Sequence, residues 1–239
     1  MKDELKEFLL YSRMANFSRK VDCARKIIEE FLKNEGAIYI AWSTGKDSTC
    51  VLHLCRSICP EIPAIHFDLG VELPGTDQYK SGFDNITTWK SSKTVLDVIA
   101  EQGFGSRRAK KRHLLKEFEG EAKEYVGYLT GMRYDESRER SYLRKYGPIY
   151  RKRNGLLVCN PIHNWTYRDS FAYLVANEIS IHPHYLIDSP QPIDIRRVGG
   201  YIAGQNRGDS LGRFFWFRQQ YPEKFREVAE KVPELRQYV

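Results

Sequence analysis

The feature that most constrains this chain is the run Ala37-Ile-Tyr-Ile-Ala-Trp42 and the polar stretch that follows it, Ser43-Thr44-Gly45-Lys46-Asp47-Ser48. The first part is apolar and rich in β-formers, which predicts a buried strand. Beyond the polar break, Val51, Leu52, Leu54, Cys55 and Ile58 recur at helical spacing. A strand turning tightly into a helix aims main-chain N–H groups and the positive end of a helix dipole at one point, where an anion is stabilised. Gly45 has no Cβ and admits a phosphate close to the main chain. Lys46 adds a cation, Ser43 and Ser48 add hydroxyls, and Asp47 adds a carboxylate able to help hold Mg²⁺. The stretch reads as a phosphate cradle, with a plain polar-capped turn as the alternative. It is not the G-x-x-x-x-G-K-[ST] loop, because Asp47 follows Lys46 and no glycine stands five before Gly45.

The rest of the chain alternates strand and helix. Helices are predicted over residues 3–14 and 18–34, the second capped by Ser18, and the helix after the cradle runs to about Cys59 before Pro60. Strands are predicted at Ile62–Phe67, Ile86–Trp89, Tyr125–Thr130 and Gly155–Cys159. Helices are predicted after Thr76, around Thr94–Glu101, over the basic run Arg107–Phe118 and at Trp165–Asn177. This order implies an α/β fold with a doubly wound, mostly parallel sheet and helical additions at both ends. The expected division is N-terminal helices over 1–35, a nucleotide-binding α/β domain over 36–185 and a mainly helical extension over 186–239.

In such a sheet, ligands bind beyond the carboxyl ends of the strands. Asp68 and Gly70 end the second strand, within reach of a ribose, an adenine amine or a metal. Gly131-Met-Arg133-Tyr-Asp-Glu136-Ser-Arg-Glu-Arg140 ends the fourth. There Gly131 permits close backbone approach, Arg133 and Arg140 are planar forks suited to phosphate or sulfate, and Glu136 can hold one of them in place.

Three ordered motifs now stand together: S-x-G-K-D-S, Asp-x-Gly with Pro74 and Thr76 downstream, and G-x-R-x-x-E-S-x-x-R. The first resembles the S-G-G-K-D-S PP-loop of the adenine nucleotide α-hydrolases. Its one mismatch, Thr44 for glycine, requires an ordinary backbone conformation at that position. Together the motifs resemble the phosphoadenosine phosphosulfate (PAPS) reductase family, which also holds the ATP pyrophosphatases of DNA phosphorothioation (DndC and SspD types). Pro161-Ile-His-Asn-Trp165 is similar to that family's P-[IL]-x-x-W segment, and Ile181-His-Pro-His-Tyr185 to its I-P-x-x-P-L-Y turn. The resemblance implies an adenine nucleotide across the strand ends, with Ser43, Thr44, Gly45, Lys46, Asp47 and Ser48 on its phosphates. It places Asp68 and Gly70 by the nucleoside, and Gly131, Arg133, Glu136 and Arg140 along the same site. Lys46, Asp47 and Arg133 would serve catalysis, with Mg²⁺ on the triphosphate and Asp47 as its candidate ligand.

Departures from the family separate its members. Sulfonucleotide reductases carry a nucleophilic cysteine in a C-terminal segment such as E-C-G-[LI]-H, and one branch adds an iron–sulfur cluster. Here the last of five cysteines is Cys159, and Arg197-Val-Gly-Gly stands where relatives have R-x-G-C. Cys50, Cys55 and Cys59 share one helix face and read as buried core, as do Cys23 and Cys159, so no cluster is expected. The favoured expectation is an ATP pyrophosphatase, yielding AMP and pyrophosphate and activating an acceptor for sulfur transfer in DNA phosphorothioation, beside a cysteine desulfurase. The alternatives are a PAPS or adenylylsulfate reductase, and a nucleotide- or DNA-binding partner without turnover.

Composition adds bounds. A net charge of +7 suits an anionic substrate or partner such as DNA. No apolar run approaches the roughly 18 residues of a membrane span, the first residues do not resemble a signal peptide, and five unpaired cysteines suit the cytoplasm. His182-Pro-His184 reads as a surface turn, not a metal site. The run Arg107-Arg-x-Lys-Lys-Arg-His113 reads as a solvated helix face, with nucleic-acid contact as the alternative. The aromatics of Arg213-Phe-Phe-Trp-Phe-Arg218 are expected to close a core or a homodimer surface.

Overall fold

The computed structural model describes residues 2–103, 111–136, 140, 142–188, 193–194, 196–198 and 215–238. Six strands form one sheet: β1 (Ala37–Trp42), β2 (Ala64–Asp68), β3 (Ile86–Lys90), β4 (Tyr125–Leu129), β5 (Ile149–Arg151) and β6 (Leu157–Cys159), in the order β3-β2-β1-β4-β6-β5. All neighbours are parallel except β5 with β6. The chain winds outward from β1 in one direction through β2 and β3, and in the other through β4. The topological switch point therefore lies between β1 and β4, where Ile40 pairs with Leu129.

β1 is apolar along its length because both its faces are covered. Alternation sends Ile38, Ile40 and Trp42 into the main core and Tyr39 to the opposite face. The main core is walled by α2 (Ala15–Leu32), α3 (Lys46–Arg56), α5 (Val95–Gln102) and α8 (Tyr167–Ala176). The opposite face is covered by α6 (Lys111–Glu121), whose Phe118 meets Tyr39 and Phe67 edge-on. The N-terminal helix α1 (Lys2–Ser12) lies on α8 with Phe8 stacked on Phe171 at 5.1 Å. Full burial of such a ring contributes about 1.5–3 kcal/mol. Asp169, at the third position of α8, completes a capping box with Thr166 and also takes Tyr11 Oη at 2.8 Å and Lys20 Nζ at 2.6 Å. One buried carboxylate thus ties both N-terminal helices to α8.

Several boundaries differ from the sequence reading. Helix α2 begins at Ala15, so Ser18 sits inside its first turn and is not its cap; burial of Phe17 against Trp165 sets the start. Helix α3 ends at Arg56, short of Cys59. Strand β5 was not expected: Gly155, at φ +89, closes a turn with Lys152 and lays Tyr150 against Val158. The basic run falls mostly outside the described residues. Two short helices, α4 (Thr76–Lys80) and α7 (Tyr142–Tyr146), complete the α/β part. Near the C-terminus, Trp216 and Phe217 are buried with Phe225 of the helix Pro222–Lys231, so the aromatic run does close a core, while Phe215 is exposed. Among the described residues no helix is long and apolar enough to cross a membrane.

Candidate phosphate-binding site

The loop between β1 and α3 is shaped by its own hydroxyls. Ser48 Oγ accepts the Ser43 N–H at 3.1 Å and donates to the Gly45 carbonyl at 3.0 Å, so Ser43 Oγ, 3.1 Å away, must be the donor between the two serines. Gly45 precedes α3 in extended conformation and makes no side-chain cap, and the first amide of the helix, that of Lys46, reaches only the Tyr185 hydroxyl over a long 3.4 Å. Thr44 lies at φ +58, in the left-handed region, where a non-glycine residue costs about 1–2 kcal/mol. This overturns the expectation of an ordinary conformation. Thr44 is held in place by burial and by its Oγ1 donating to Ser43 O at 2.6 Å.

The charged residues converge behind the loop. Asp47 Oδ1 lies 2.9 Å from Arg133 Nε and accepts Ser170 Oγ at 2.6 Å, and Oδ2 lies 3.3 Å from Lys46 Nζ. The Arg133 contact is close but poorly aligned for an N–H···O bond. Arg133 Nη1 donates to Trp165 O at 3.3 Å. Burial alone would raise the Asp47 pKa. Lys46, Arg133 and the Ser170 hydroxyl outweigh it and hold the carboxyl below its ordinary value. Lys46 and Arg133 are both buried and share the carboxylate of Asp47, while the exposed Asp135 stands 3.9 Å from Arg133 Nη1 as a weaker counter-charge. Asp47 by itself cannot neutralise both cations, an arrangement that favours an anion placed beside them. Both Asp47 oxygens already face cations, so the carboxylate does not fit the role of a Mg²⁺ ligand. Among the described residues no three His, Cys, Asp or Glu side chains converge as a metal site.

The other expected residues divide in two. Gly131 does permit a close approach, but to the protein itself. A Cβ there would stand 2.6 Å from Asp47 C and Ser48 N, so only glycine lets the end of β4 press on the first turn of α3. Gly70, at φ +79, is likewise required by packing, since a Cβ would meet Thr94 Cγ2 at 2.3 Å. Asp68 accepts the Gly70 N–H at 2.8 Å and shapes the turn after β2. Glu136 pairs with Arg140 and with Arg197 Nη2 at 3.1 Å, so Arg140 joins Glu136 and not the Lys46–Asp47–Arg133 cluster.

Three polar residues escaped the sequence reading. Ser170 reaches Asp47 from α8, more than a hundred positions along the chain. Tyr185 sits at the start of α3, with its hydroxyl 3.4 Å from the Lys46 amide. His66 is buried on β2 between Trp42 O at 3.2 Å and Glu72 Oε2 at 3.3 Å. His66 had a visible signal, a polar side chain inside the apolar strand Ala64-Ile-His-Phe, and Tyr185 ends the family-like turn Ile181-His-Pro-His-Tyr185. His182 and His184 are buried, not on a surface turn. His182 pairs with Thr76 Oγ1 at 3.1 Å and accepts the His184 N–H at 3.1 Å.

Residues 37–205 match the family model of the phosphoadenosine phosphosulfate reductase domain. The phosphoadenosine 5'-phosphosulfate reductase of Vibrio campbellii is 27% identical over 175 residues, covering 67% of this chain and 66% of that protein. The enzyme of the same name from Xanthomonas euvesicatoria is 29% identical over 198 residues, covering 74% of this chain and 77% of the other. Among solved structures, the U34-tRNA thiolase NcsA from Methanococcus maripaludis, with its [4Fe-4S] cluster, superposes with a TM-score of 0.54 at 16% identity, covering 93% of this chain and 80% of that one. At that identity the likeness is one of fold.

Proposed function

Because the chain belongs to the phosphoadenosine phosphosulfate reductase family, we propose that it binds the phosphates of an adenine nucleotide at the Ser43–Ser48 loop and acts at the α-phosphorus as an ATP pyrophosphatase. The observation that carries this reading is the buried pair Lys46 and Arg133 sharing the carboxylate of Asp47, with the exposed Asp135, 3.9 Å from Arg133 Nη1, as a weak further counter-charge. An acceptor oxygen bonds to the α-phosphorus, the bridging P–O bond to the β-phosphate breaks, and pyrophosphate leaves with the electron pair. With water as acceptor the products are AMP and pyrophosphate, and the proton passes to solvent. Lys46, Arg133 and the amides at the start of α3 position the phosphates and stabilise the charge that develops on them. Mg²⁺ enters with the nucleotide, as MgATP. A net charge of +7 suits a polyanionic acceptor, and we favour DNA, with a cysteine desulfurase supplying sulfur for phosphorothioation.

The names of the relatives favour a second reading, reduction of a sulfonucleotide to sulfite. That chemistry needs an accessible thiolate. Cys50, Cys55 and Cys159 are buried, and burial pushes each thiol up; Cys59 is half-buried and Cys23 exposed. One experiment separates the readings. Pure protein is incubated with MgATP, and AMP is resolved from ADP with pyrophosphate measured. A parallel incubation holds phosphoadenosine phosphosulfate or adenylylsulfate with reduced thioredoxin, and sulfite is measured. AMP with pyrophosphate supports the first reading. Sulfite without pyrophosphate replaces it with the second, and ATP binding with no product in either reaction leaves a nucleotide-binding protein without turnover.

A further inference from the structure

The turn after α8 brings one aromatic residue to the mouth of the loop. Tyr185 is 2% exposed, and its hydroxyl accepts the Lys46 amide N–H over a long 3.4 Å. That amide is one of those a ligand would use. A Cβ on Gly45 would lie 3.5 Å from the same hydroxyl oxygen, and the Lys46 ammonium stands 5.4 Å from the ring centroid. Among the described residues the hydroxyl hydrogen of Tyr185 has no acceptor. A buried donor without an acceptor is costly, so buried hydroxyls nearly always find one.

The side chain is also firmly placed. The Arg196 guanidinium donates to Tyr185 O at 3.2 Å and Ile187 O at 2.9 Å, while His182 joins the turn to Thr76 after β2. Phe171 meets the Tyr185 ring edge-on at 5.4 Å. For packing alone phenylalanine would serve equally, so the hydroxyl calls for a separate explanation. Burial and the neighbouring Asp47 raise its pKa more than Lys46 and Arg133 lower it, which keeps the hydroxyl protonated at neutral pH.

We propose that the Tyr185 hydroxyl is a direct ligand of the bound nucleotide, donating to a phosphate oxygen held by the Lys46 amide and ammonium. It is a binding residue of the site, supplied by the turn after α8. This inference rests on the phosphate-binding reading above, and the test keeps the two apart.

Affinity for ATP is measured by calorimetry on the full chain, for the unaltered protein, Tyr185→Phe and Lys46→Ala, with thermal melts of each. Tyr185→Phe is expected to melt as the unaltered protein does and to bind ATP about tenfold more weakly, a change worth about 1.4 kcal/mol. Unchanged affinity in Tyr185→Phe with binding lost in Lys46→Ala overturns the role of Tyr185 and leaves the phosphate site standing. Unchanged affinity in both variants overturns the phosphate site itself. Tighter binding by Tyr185→Phe makes the hydroxyl a competitor of the ligand and also overturns the proposal. Should Tyr185→Phe fail to fold, a crystal structure of the unaltered chain with inorganic pyrophosphate decides. Tyr185 Oη within about 3 Å of a phosphate oxygen supports the role, and a hydroxyl still turned to the Lys46 amide refutes it.

Discussion

Replacing Asp47 with asparagine tests the charge arrangement on which the site depends. The substitution keeps size and shape but removes the carboxylate shared by Arg133 Nε at 2.9 Å and Lys46 Nζ at 3.3 Å. Two buried cations would then keep only the exposed Asp135, 3.9 Å from Arg133 Nη1, as a counter-charge among these contacts, and one end of the amide would present N–H groups to a cation. Both cations are almost fully buried, so solvent screening offers little relief. Breaking a buried pair from one side costs about 3–5 kcal/mol. For a chain of this length that corresponds to a melting temperature lower by roughly 6–20 °C. The double variant Asp47→Asn with Arg133→Met removes one of the two cations together with the carboxylate, so it is expected to recover at least about 1.5 kcal/mol relative to the sum of the single changes. Pyrophosphate supplies the missing negative charge and is expected to raise the melting temperature of Asp47→Asn more than that of the unaltered protein. Urea and thermal unfolding followed by circular dichroism give all three quantities. A loss under about 1 kcal/mol, with additive behaviour in the double variant, would show that the three side chains do not act as one electrostatic unit.

Gly131→Ala forces a Cβ to within 2.6 Å of the main chain of α3 and is expected to cost about 1–3 kcal/mol and to weaken ATP binding, whereas Gly120→Ala, where a Cβ meets nothing, leaves binding unchanged. Calorimetry on the two variants checks this. Burial lowers the His182 pKa to about 4 and, with His182 and Arg196 nearby, that of His184 to about 3. Both folded values lie below the unfolded value of about 6.5, so their stabilisation is complete above that pH and is lost as pH falls toward 4 and then 3. Stability from urea titrations is expected to fall in that window with a contribution from this pair approaching two protons, about 2.7 kcal/mol per pH unit, and His182→Gln should remove about one of them. A slope unaffected by His182→Gln would mean that His182 titrates alike in both states. Finally, Cys23→Ser with Cys59→Ser is expected to leave pyrophosphate release within twofold of the unaltered rate, and loss of activity would return a thiol to the mechanism.

The loop was legible because its chemistry is local. The strand, the polar turn and the helix start fall within a few positions, and the alternation of elements implied a mostly parallel sheet. Arg133 was found because it follows a strand end. Ser170 was not, because nothing near it in sequence distinguishes a hydroxyl that reaches Asp47 from one that faces water, and Tyr185 entered only as the end of a family-like turn, with no role for its hydroxyl. The misread positions share a cause. Thr44 looked like a mild substitution until the turn was seen to need a positive φ. Gly131 and Gly70 looked like openings for a ligand, yet the space beside them is filled by Asp47–Ser48 and by Thr94.

By itself, then, the order of residues determined the five parallel strands, the place of the Ser43–Ser48 turn and the family, because strand and helix periodicity and loop chemistry act over short stretches. Only the tertiary structure decided what Asp47 does. Its two oxygens meet groups from β4 and α8 as well as its own helix, and burial turns those contacts into a balance of charge that no local pattern encodes. The carboxylate expected to help hold Mg²⁺ stands between two buried cations, and that arrangement is what supports the phosphate-binding reading proposed above.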